Sequence, residues 1–490
     1  MHRLKQHEFY IWMIGLILFY GYLGFIIPLH STDWFWGSTH GIQVVSNAFE
    51  NFNGRYISNI LEFASVHSIV MRTMSFALIS IFIVLLLLKL LNQISNTNIL
   101  IVIMVLLFII PNSLFSQSYG NFEFFYTYVF GSCFSLYLLS FILKGLLKEE
   151  EYSRIDAFIF WGICILGQWF AEPLTFYNTA ILLVGIIYYA IRYHKLDYSL
   201  VLGWLLSLCG AMIMLLNEKY IYIYSSVEAL RGHLDMLGLT HKFESSLLKD
   251  IPNNLFFNNN TILSLIVIII IILLLRSSTF STWSKKKQFS LQIGICVLPI
   301  YKFVIYEPFN VKQLSETLTF EVIHIVLCLI FMMSVVISCK LIVHSPYNRL
   351  LVNMSLISIP LSVLPVVLIT EVSVRQFYLA YLFSMIILII LFSELNFLTL
   401  KHYNILKSCI IIFAIVNMFI FTDIHIRSEQ RLEDVHAQMS NNQRHIKLSH
   451  LPYETYLFEM TPADEADVTN FKEFHHISEK YSFKILPFED

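Results

Sequence analysis

The chain of 490 residues is 57% hydrophobic and only 13% charged, and its formal net charge at pH 7 is −2. Roughly a quarter of the residues in a soluble globular protein are charged, so the composition excludes that class. Long apolar runs such as 262–275 predict a multi-pass membrane protein instead. No separate basic domain is present, and we expect no nucleic-acid partner.

Thirteen apolar segments are candidates for membrane-spanning helices. They cover residues 9–29, 70–91, 97–112, 123–144, 156–171, 173–191, 198–216, 260–276, 289–306, 320–343, 350–369, 376–397 and 405–422. With the N-terminus inside, the short inner loops hold sixteen Lys and Arg residues and the outer loops hold nine. The positive-inside rule then predicts a cytoplasmic N-terminus and an extracytoplasmic C-terminus in the plasma membrane.

The predicted fold is therefore an all-α bundle of about thirteen transmembrane helices, with most loop mass on the outer face. Residues 1–422 form the transmembrane domain, and residues 423–490 are expected to form a small extracytoplasmic α/β cap. In that cap, 453–460 has a strand-like composition and 467–481 could form a short helix.

Two outer loops are large, at 30–69 and 217–259. The first carries an apolar stripe at steps of three and four, which predicts a helix lying on the membrane surface: Ile42, Val45, Phe49, Phe52, Tyr56 and Ile60. The second has a similar stripe, which fits an interfacial helix and a loop helix packed on the bundle equally well: Val227, Leu230, Leu234 and Leu237.

An acid lies among aromatic residues just after the first span, in Asp33-Trp34-Phe35-Trp36, and Asn53-Gly54-Arg55 follows it in the same loop. An acid placed there can act as a general base at the membrane surface. It can also simply cap the following helix, and the aromatic residues can belong to an interfacial belt.

Asp33 with its aromatic neighbours, the Asn53-Gly54-Arg55 helix and the span pattern resemble the GT-C superfamily of polytopic membrane glycosyltransferases. The resemblance implies a GT-C-like bundle with interfacial helices in the first outer loop, and Asp33 as the catalytic base. It implies a polyprenyl-phosphate-linked sugar as donor and a cell-envelope glycan, such as a wall polysaccharide or teichoic acid, as acceptor. The chain departs from the commonest pattern in having a single acid instead of an Asp-Asp pair, and no long soluble domain.

Glu172 stands in a predicted tight outer hairpin, Gly167–Pro173, where it could bind sugar hydroxyls or assist Asp33. The alternative is a hairpin cap paired with a neighbouring cation. Glu123, at the outer start of the fourth span, is a weaker candidate of the same kind.

Three cations at outer span ends are candidates for binding the donor phosphate: Arg72, Lys302 and Arg375. Arg55, in the first outer loop, is a further candidate for binding substrate. Arg375 is favoured because the planar guanidinium can bind two phosphate oxygens, with Glu371 or Tyr378 orienting it. The alternative for each cation is contact with lipid headgroups or a plain ion pair.

No His, Cys or acidic residues recur at metal-ligand spacing, so we expect no metal site and no cofactor. We therefore expect an enzyme whose partners are the lipid-linked donor, the glycan acceptor and membrane lipids. A lipid-linked glycan flippase or transporter and a polysaccharide polymerase are the alternatives. Against transport, most charged residues fall at span ends and no inverted repeat is visible.

Overall fold

The computed structural model describes residues 2–50, 52–147, 153–220, 245–257, 260–309, 318–368, 372–395 and 400–487. Regular structure in these ranges is helical except for two short strands. Among the described residues, ten helices are long and apolar enough to cross a membrane, or eleven if the bent pair Ser246–Phe257 and Thr261–Arg276 is one span. The protein is thus an all-α membrane protein, as the composition predicts.

The α-helices in chain order are α1 His2–Ile26, α2 Thr32–Gly37, α3 Thr39–Ser46, α4 Tyr56–His67, α5 Ile69–Leu90, α6 Thr97–Phe108, α7 Asn112–Ser116, α8 Phe122–Phe124, α9 Gly131–Leu147, α10 Arg154–Leu166, α11 Glu172–Tyr193, α12 Tyr198–Leu215, α13 Asn260–Arg276, α14 Ser278–Ser281, α15 Lys285–Ile300, α16 Leu318–Ile342, α17 Pro346–Val363, α18 Tyr378–Glu394, α19 Leu400–Ser440 and α20 Glu465–Phe474. The strands are β1 His445–Ser449 and β2 Ser482–Leu486. Short π-helical segments are Phe125–Phe130, Ser246–Asp250, Asn253–Phe257 and Tyr301–Tyr306, and 3₁₀ segments are Leu364–Leu368 and Val374–Phe377.

Each of the thirteen predicted segments overlaps a helix, but three of these helices are not among the ten that can span a membrane by themselves. Helices α6, α10 and α13 have 12, 13 and 17 residues, whereas a straight crossing of the bilayer needs about 20. The number of spans is therefore fixed only as ten or more by length and composition.

Helix α18 is the centre of the bundle. Every residue from Tyr378 to Leu391 is buried, as expected for a helix that is apolar on all sides and surrounded by protein. Helix α19 is the opposite case, because apolar residues such as Ile412 and Phe419 are exposed along its first half. Those side chains are placed to face lipid.

The prediction of one continuous surface helix in the first loop is wrong. Helix α3 ends at Ser46 and α4 begins only at Tyr56. Between them Ala48 and Phe49 have φ of 52° and 64°, in the left-handed region that an α-helix of L-residues cannot contain. The chain therefore turns, and the apolar stripe is divided between two helices instead of following one.

The expected domain boundary at residue 423 falls inside a helix. Helix α19 runs for 41 residues, or about 60 Å, twice the thickness of the hydrocarbon core. Strands β1 and β2 follow and pair in parallel, with His445 opposite Ser482, and α20 lies between them in the chain. Residues 453–460, whose composition is strand-like, form turns and bends instead.

The C-terminal region packs directly on the first loop. The Trp34 ring meets the Phe471 ring edge-on at 5.0 Å between centroids. Trp34 is buried in a small apolar core of its own, together with Val435, Ile446, Leu448, Phe471, Ile477 and Tyr481. The residues after the first helix and the residues after the last long helix therefore lie at the same end of the bundle.

Candidate functional site

The Asn53-Gly54-Arg55 turn holds the start of α4 against the rest of the bundle. Asn53 Oδ1 accepts hydrogen bonds from the backbone N–H of Arg55 at 3.0 Å and from Asn59 Nδ2 at 2.9 Å. A Cβ atom on Gly54 would lie 2.4 Å from the carbonyl oxygen of Met214. Glycine is therefore required by the close approach of two backbones, and this approach fixes where the Arg55 side chain begins.

Arg55 and Glu172 form a forked ion pair. Arg55 Nε lies 3.2 Å from both carboxylate oxygens of Glu172, and Nη2 lies 2.8 Å from Oε2. The Tyr220 hydroxyl donates to Oε1 of the same carboxylate. Arg55 Nη1 is also 3.9 Å from Glu123 Oε1. The structure thus brings three sequence-predicted site residues together, and their side chains remain 14–24% exposed.

The hairpin that carries Glu172 is held by the first loop. The backbone N–H of Ile57 donates to Trp169 O at 3.2 Å, and Ser58 Oγ donates to Phe170 O at 3.4 Å. Glu172 then begins α11, followed by Pro173 in the first turn. A carboxylate at that position is favoured by the helix dipole, and proline is favoured because no backbone donor is needed there.

Asp33 is completely buried and interacts electrostatically with Glu123, which borders this ion pair. Its Oδ2 accepts a hydrogen bond from the backbone N–H of His30 at 3.1 Å, and its Oδ1 has no partner. Burial raises the pKa of Asp33 to about 8, opposed by that hydrogen bond and by Arg72, and Glu123 raises it further. Asp33 is therefore largely protonated at neutral pH and can exchange its proton near pH 8.

Glu62 is a second buried acid at the same place. Neither carboxylate oxygen has a hydrogen-bond partner, and the Trp36 indole approaches them without completing one. Burial first, then the charges of Glu123 and Asp33, raise the pKa of Glu62 well above its usual range. We call Asp33, Glu62, Glu123 and Glu172, together with Arg55, the acid cluster.

Glu62 is not among the site residues predicted from the sequence, although its helix carries a pattern that indicates a buried polar site. Four polar residues of α4 recur at helical spacing and are buried: Ser58, Asn59, Glu62 and Ser65. The predicted surface helix rests on the apolar stripe of this segment alone, and the polar residues of the segment were not considered. A helix whose polar face is buried points instead to a polar site within the protein.

Arg72 and Arg375 lie on either side of the aromatic residues next to Glu123. The buried Arg72 donates from Nε to Gly24 O at 3.2 Å, and its guanidinium carbon is 5.4 Å from the Phe122 ring centroid. The guanidinium carbon of Arg375 is 3.7 Å from the Phe124 ring centroid. Both arginines therefore stand near the acid cluster.

The remaining predicted residues lie elsewhere. The hydroxyl of Tyr378 is 2.9 Å from that of Tyr119 and is buried in the aromatic core, so in this conformation it does not face a substrate or orient Arg375. Lys302 donates to Phe257 O and lies 3.5 Å from Glu307, and neither partner belongs to the acid cluster. Glu371 and the stripe of the second loop, Val227 to Leu237, lie outside the described residues.

Within the described ranges, no group of three or more His, Cys, Asp or Glu residues is arranged to hold a metal ion. No protein-family model, curated protein or solved structure matches this chain. The residues themselves are thus the basis for any functional assignment.

Proposed function

We propose that the protein is a membrane glycosyltransferase. It moves a sugar from a polyprenyl-phosphate-linked donor to a hydroxyl group of a cell-envelope glycan, on the extracytoplasmic face. The observation that carries this proposal is the acid cluster. Asp33, a buried carboxyl group with a pKa near 8, interacts electrostatically with Glu123, and Glu123 lies 3.9 Å from Arg55 of the partly exposed Arg55–Glu172 pair. The resemblance of the first loop to GT-C enzymes supports the same reading.

The cluster offers the groups that glycosyl transfer needs. The acceptor oxygen attacks the anomeric carbon, the bond from that carbon to the phosphate oxygen breaks, and the phosphate leaves with the lipid. Asp33 takes the proton of the acceptor hydroxyl, since a base is most effective when its pKa is near the working pH. Because Asp33 is fully buried, the surrounding loop must open to admit the acceptor.

Arg375 is the cation best placed for the donor phosphate. Among the described residues it is in no ion pair, and its guanidinium covers the ring of Phe124, next to Glu123. Arg55 is already engaged by Glu172 and Lys302 by Glu307. A guanidinium without a carboxylate partner can bind two oxygens of a phosphate leaving group and stabilise its charge.

The packing of the C-terminal region on the first loop supports an odd number of crossings. If α1 crosses the membrane once, the first loop and everything packed on it lie on the side opposite the N-terminus. Trp34 contacts Phe471, so the C-terminal region shares that side. Eleven or thirteen spans satisfy this condition, and the loop charges place that side outside the cell.

The proposal is tested by comparing the envelope sugars of cells with and without the gene. A missing sugar branch on polymers of unchanged length supports glycosyl transfer. Shortened polymers would indicate a polymerase, and intact lipid-linked glycan accumulating on the inner leaflet would indicate a flippase.

The donor role of Arg375 is tested in purified protein with a short-chain polyprenyl-phosphate sugar. Lysine keeps the positive charge but lacks the parallel N–H donors of the planar guanidinium. R375K should therefore raise KM or lower kcat by about tenfold. The matched control is R192K, because Arg192 also stacks on an aromatic ring, that of Tyr193 at 5.5 Å, at the far end of α11 from Glu172. Kinetics of R375K equal to wild type would remove Arg375 from phosphate binding.

A further inference from the structure

A second candidate site lies next to the acid cluster, and Arg72 borders both. It is a cavity of about 190 Å³ between the turn after α1, helix α19 and the end of α20. Its lining is rich in cationic and imidazole side chains, namely Arg72, His425, Arg431 and His475. We call it the cation cavity.

Arg431 is buried in the wall of this cavity without a counter-ion. It is 6% exposed and donates to Met460 O at 3.1 Å, Thr461 Oγ1 at 3.3 Å and Ser449 O at 3.5 Å. Its Nε has no partner, and no carboxylate among the described residues pairs with it. A guanidinium cannot lose its proton in a protein, so its burial is unfavourable until an anion compensates the charge.

The other groups of the lining leave the positive charge uncompensated. His425 Nδ1 is buried and has no hydrogen-bond partner. Burial, with Arg431 beside it, lowers the pKa of His475 to about 4, so this imidazole is neutral and can donate a hydrogen bond. Arg72 borders Asp33, which is itself largely protonated at neutral pH. One acid lines the cavity, Glu429, and its side chain is exposed to solvent.

The size and position of the cavity limit what it can hold. A water molecule takes about 30 Å³ in the liquid, so the space admits several waters or one tetrahedral oxyanion. The cavity begins at Ile27, directly after the first long helix, and thus lies at the level where lipid headgroups would meet the protein. Arginine with neutral imidazole donors suits phosphate oxygens.

We infer that the cation cavity binds a phosphoryl group, carried either by a membrane phospholipid headgroup or by a soluble phosphate compound. Arg431 and His425 donate to its oxygens through the nitrogens that are unpartnered in this structure, and Arg72 adds positive charge. The inference does not depend on glycosyl transfer, because the acid cluster and Arg375 are not part of this site.

The test measures thermal unfolding of the full-length protein, with two probes. Inorganic phosphate is titrated in detergent at constant ionic strength, and nanodiscs of phosphatidylcholine are compared with nanodiscs containing phosphatidylglycerol. Phosphate at about 100 times its Kd should stabilise the protein by about 2.7 kcal/mol, seen as a rise in Tm. Stabilisation by phosphate indicates a soluble compound, and stabilisation by phosphatidylglycerol alone indicates a headgroup. No change with either probe would overturn the inference.

Variants decide whether the effect comes from this cavity. R431Q should weaken the phosphate or phosphatidylglycerol effect at least tenfold. R427Q is the matched control, since Arg427 lies one turn earlier on α19, is about half exposed and pairs with Asp423 at 3.6 Å. A ligand effect that is unchanged in R431Q would contradict the assignment.

If R431Q fails to fold, H425L answers the same question. His425 makes no hydrogen bond in this structure, so its replacement breaks none, and the variant should unfold no more easily than wild type without ligand. We expect H425L to reduce the ligand effect several-fold. An undiminished ligand effect in H425L would contradict the inference.

Discussion

The acid cluster and the cation cavity both border the first loop, and they accommodate buried charge in different ways. Asp33 and Glu62 can take up a proton, and burial raises the pKa of each so that the charge is suppressed at neutral pH. Arg431 has no such option, and only backbone carbonyls and one hydroxyl solvate it. The acid side is therefore suited to proton transfer, and the cationic side to holding an anion.

The two regions also differ in what the bundle supplies to them. The acid cluster is assembled from the first loop, the short helix α8 and the first turn of α11, joined by the Arg55–Glu172 ion pair. The cation cavity depends on α19 extending well past the membrane, so that Arg431 returns to the first loop. The C-terminal region thus completes the second site, and near the first it places Glu459, whose Oε2 accepts a hydrogen bond from Ser31 Oγ at 3.1 Å.

The largest expected effect is on the acid cluster. D33N keeps the shape of the side chain but removes its basicity, so sugar transfer should fall about 10²–10⁴-fold. The control is E50Q, because Glu50 is an exposed acid in the same loop and its replacement should leave transfer unchanged. Rates are measured with both variants in nanodiscs, after gel filtration shows that each is folded. Full activity of D33N would take Asp33 out of the mechanism.

The next prediction concerns Gly54, in the turn that positions the Arg55–Glu172 ion pair. G54A places a Cβ atom 2.4 Å from a backbone oxygen of Met214, which cannot move aside as a side chain can, so the protein should lose about 2–3 kcal/mol of stability. A Cβ atom added at Gly162 would meet no other atom within 4 Å, so G162A should be neutral or slightly stabilising. Equal melting temperatures for the two variants would show that the close approach at Gly54 is not required.

The Arg55–Glu172 ion pair itself should contribute a smaller coupling energy. In a double-mutant cycle of R55Q and E172Q, we expect an interaction energy of about 1–2 kcal/mol, because both side chains are partly exposed and screened. Urea unfolding of the two single variants and the double variant gives the value. Additive effects would mean that the ion pair does not organise the cluster.

The pH dependence of stability distinguishes the buried acid Asp33 from the buried cation Arg431. The folded-state pKa of Asp33, about 8, lies above its unfolded value of about 3.9. Its contribution to stability is thus fully present below about pH 4 and is lost as the pH rises through 8, with a slope of at most about 1.4 kcal/mol per pH unit. D33N should flatten the fall in Tm between pH 5 and 8, whereas R431Q should not. A wild-type Tm profile identical to that of D33N would contradict the raised pKa.

The sequence alone predicts the positions of the helices and part of the acid cluster. Apolar runs locate every predicted span on a helix. Asp33, Glu123 and Glu172 stand out as acids at span ends, and Arg55 as a cation in the first outer loop. Glu62 was missed because only the apolar stripe of α4 was followed, and one helix was expected where left-handed residues at Ala48 and Phe49 divide two. Position along the chain could not reveal that Tyr378 is turned into the core.

The cation cavity could not be found from sequence, for a different reason. Arg431 and His425 belong to a polar stretch that was assigned to a separate cap beyond residue 423. Their proximity to Arg72 depends on an unbroken α19 and on the packing of Trp34 against Phe471, contacts between residues separated by more than 400 positions. No local pattern encodes such a distant contact.

The central claim is that Asp33 accepts the proton of the acceptor hydroxyl. The most direct measurement is kcat/KM for sugar transfer from a polyprenyl-phosphate donor, followed between about pH 6 and 9.5 in nanodiscs. Since a base acts only when deprotonated, the wild-type rate should rise with pH and level off above a pKa of about 8, and the residual rate of D33N should lack this rise. A wild-type profile that is flat or falls over this range would contradict the account.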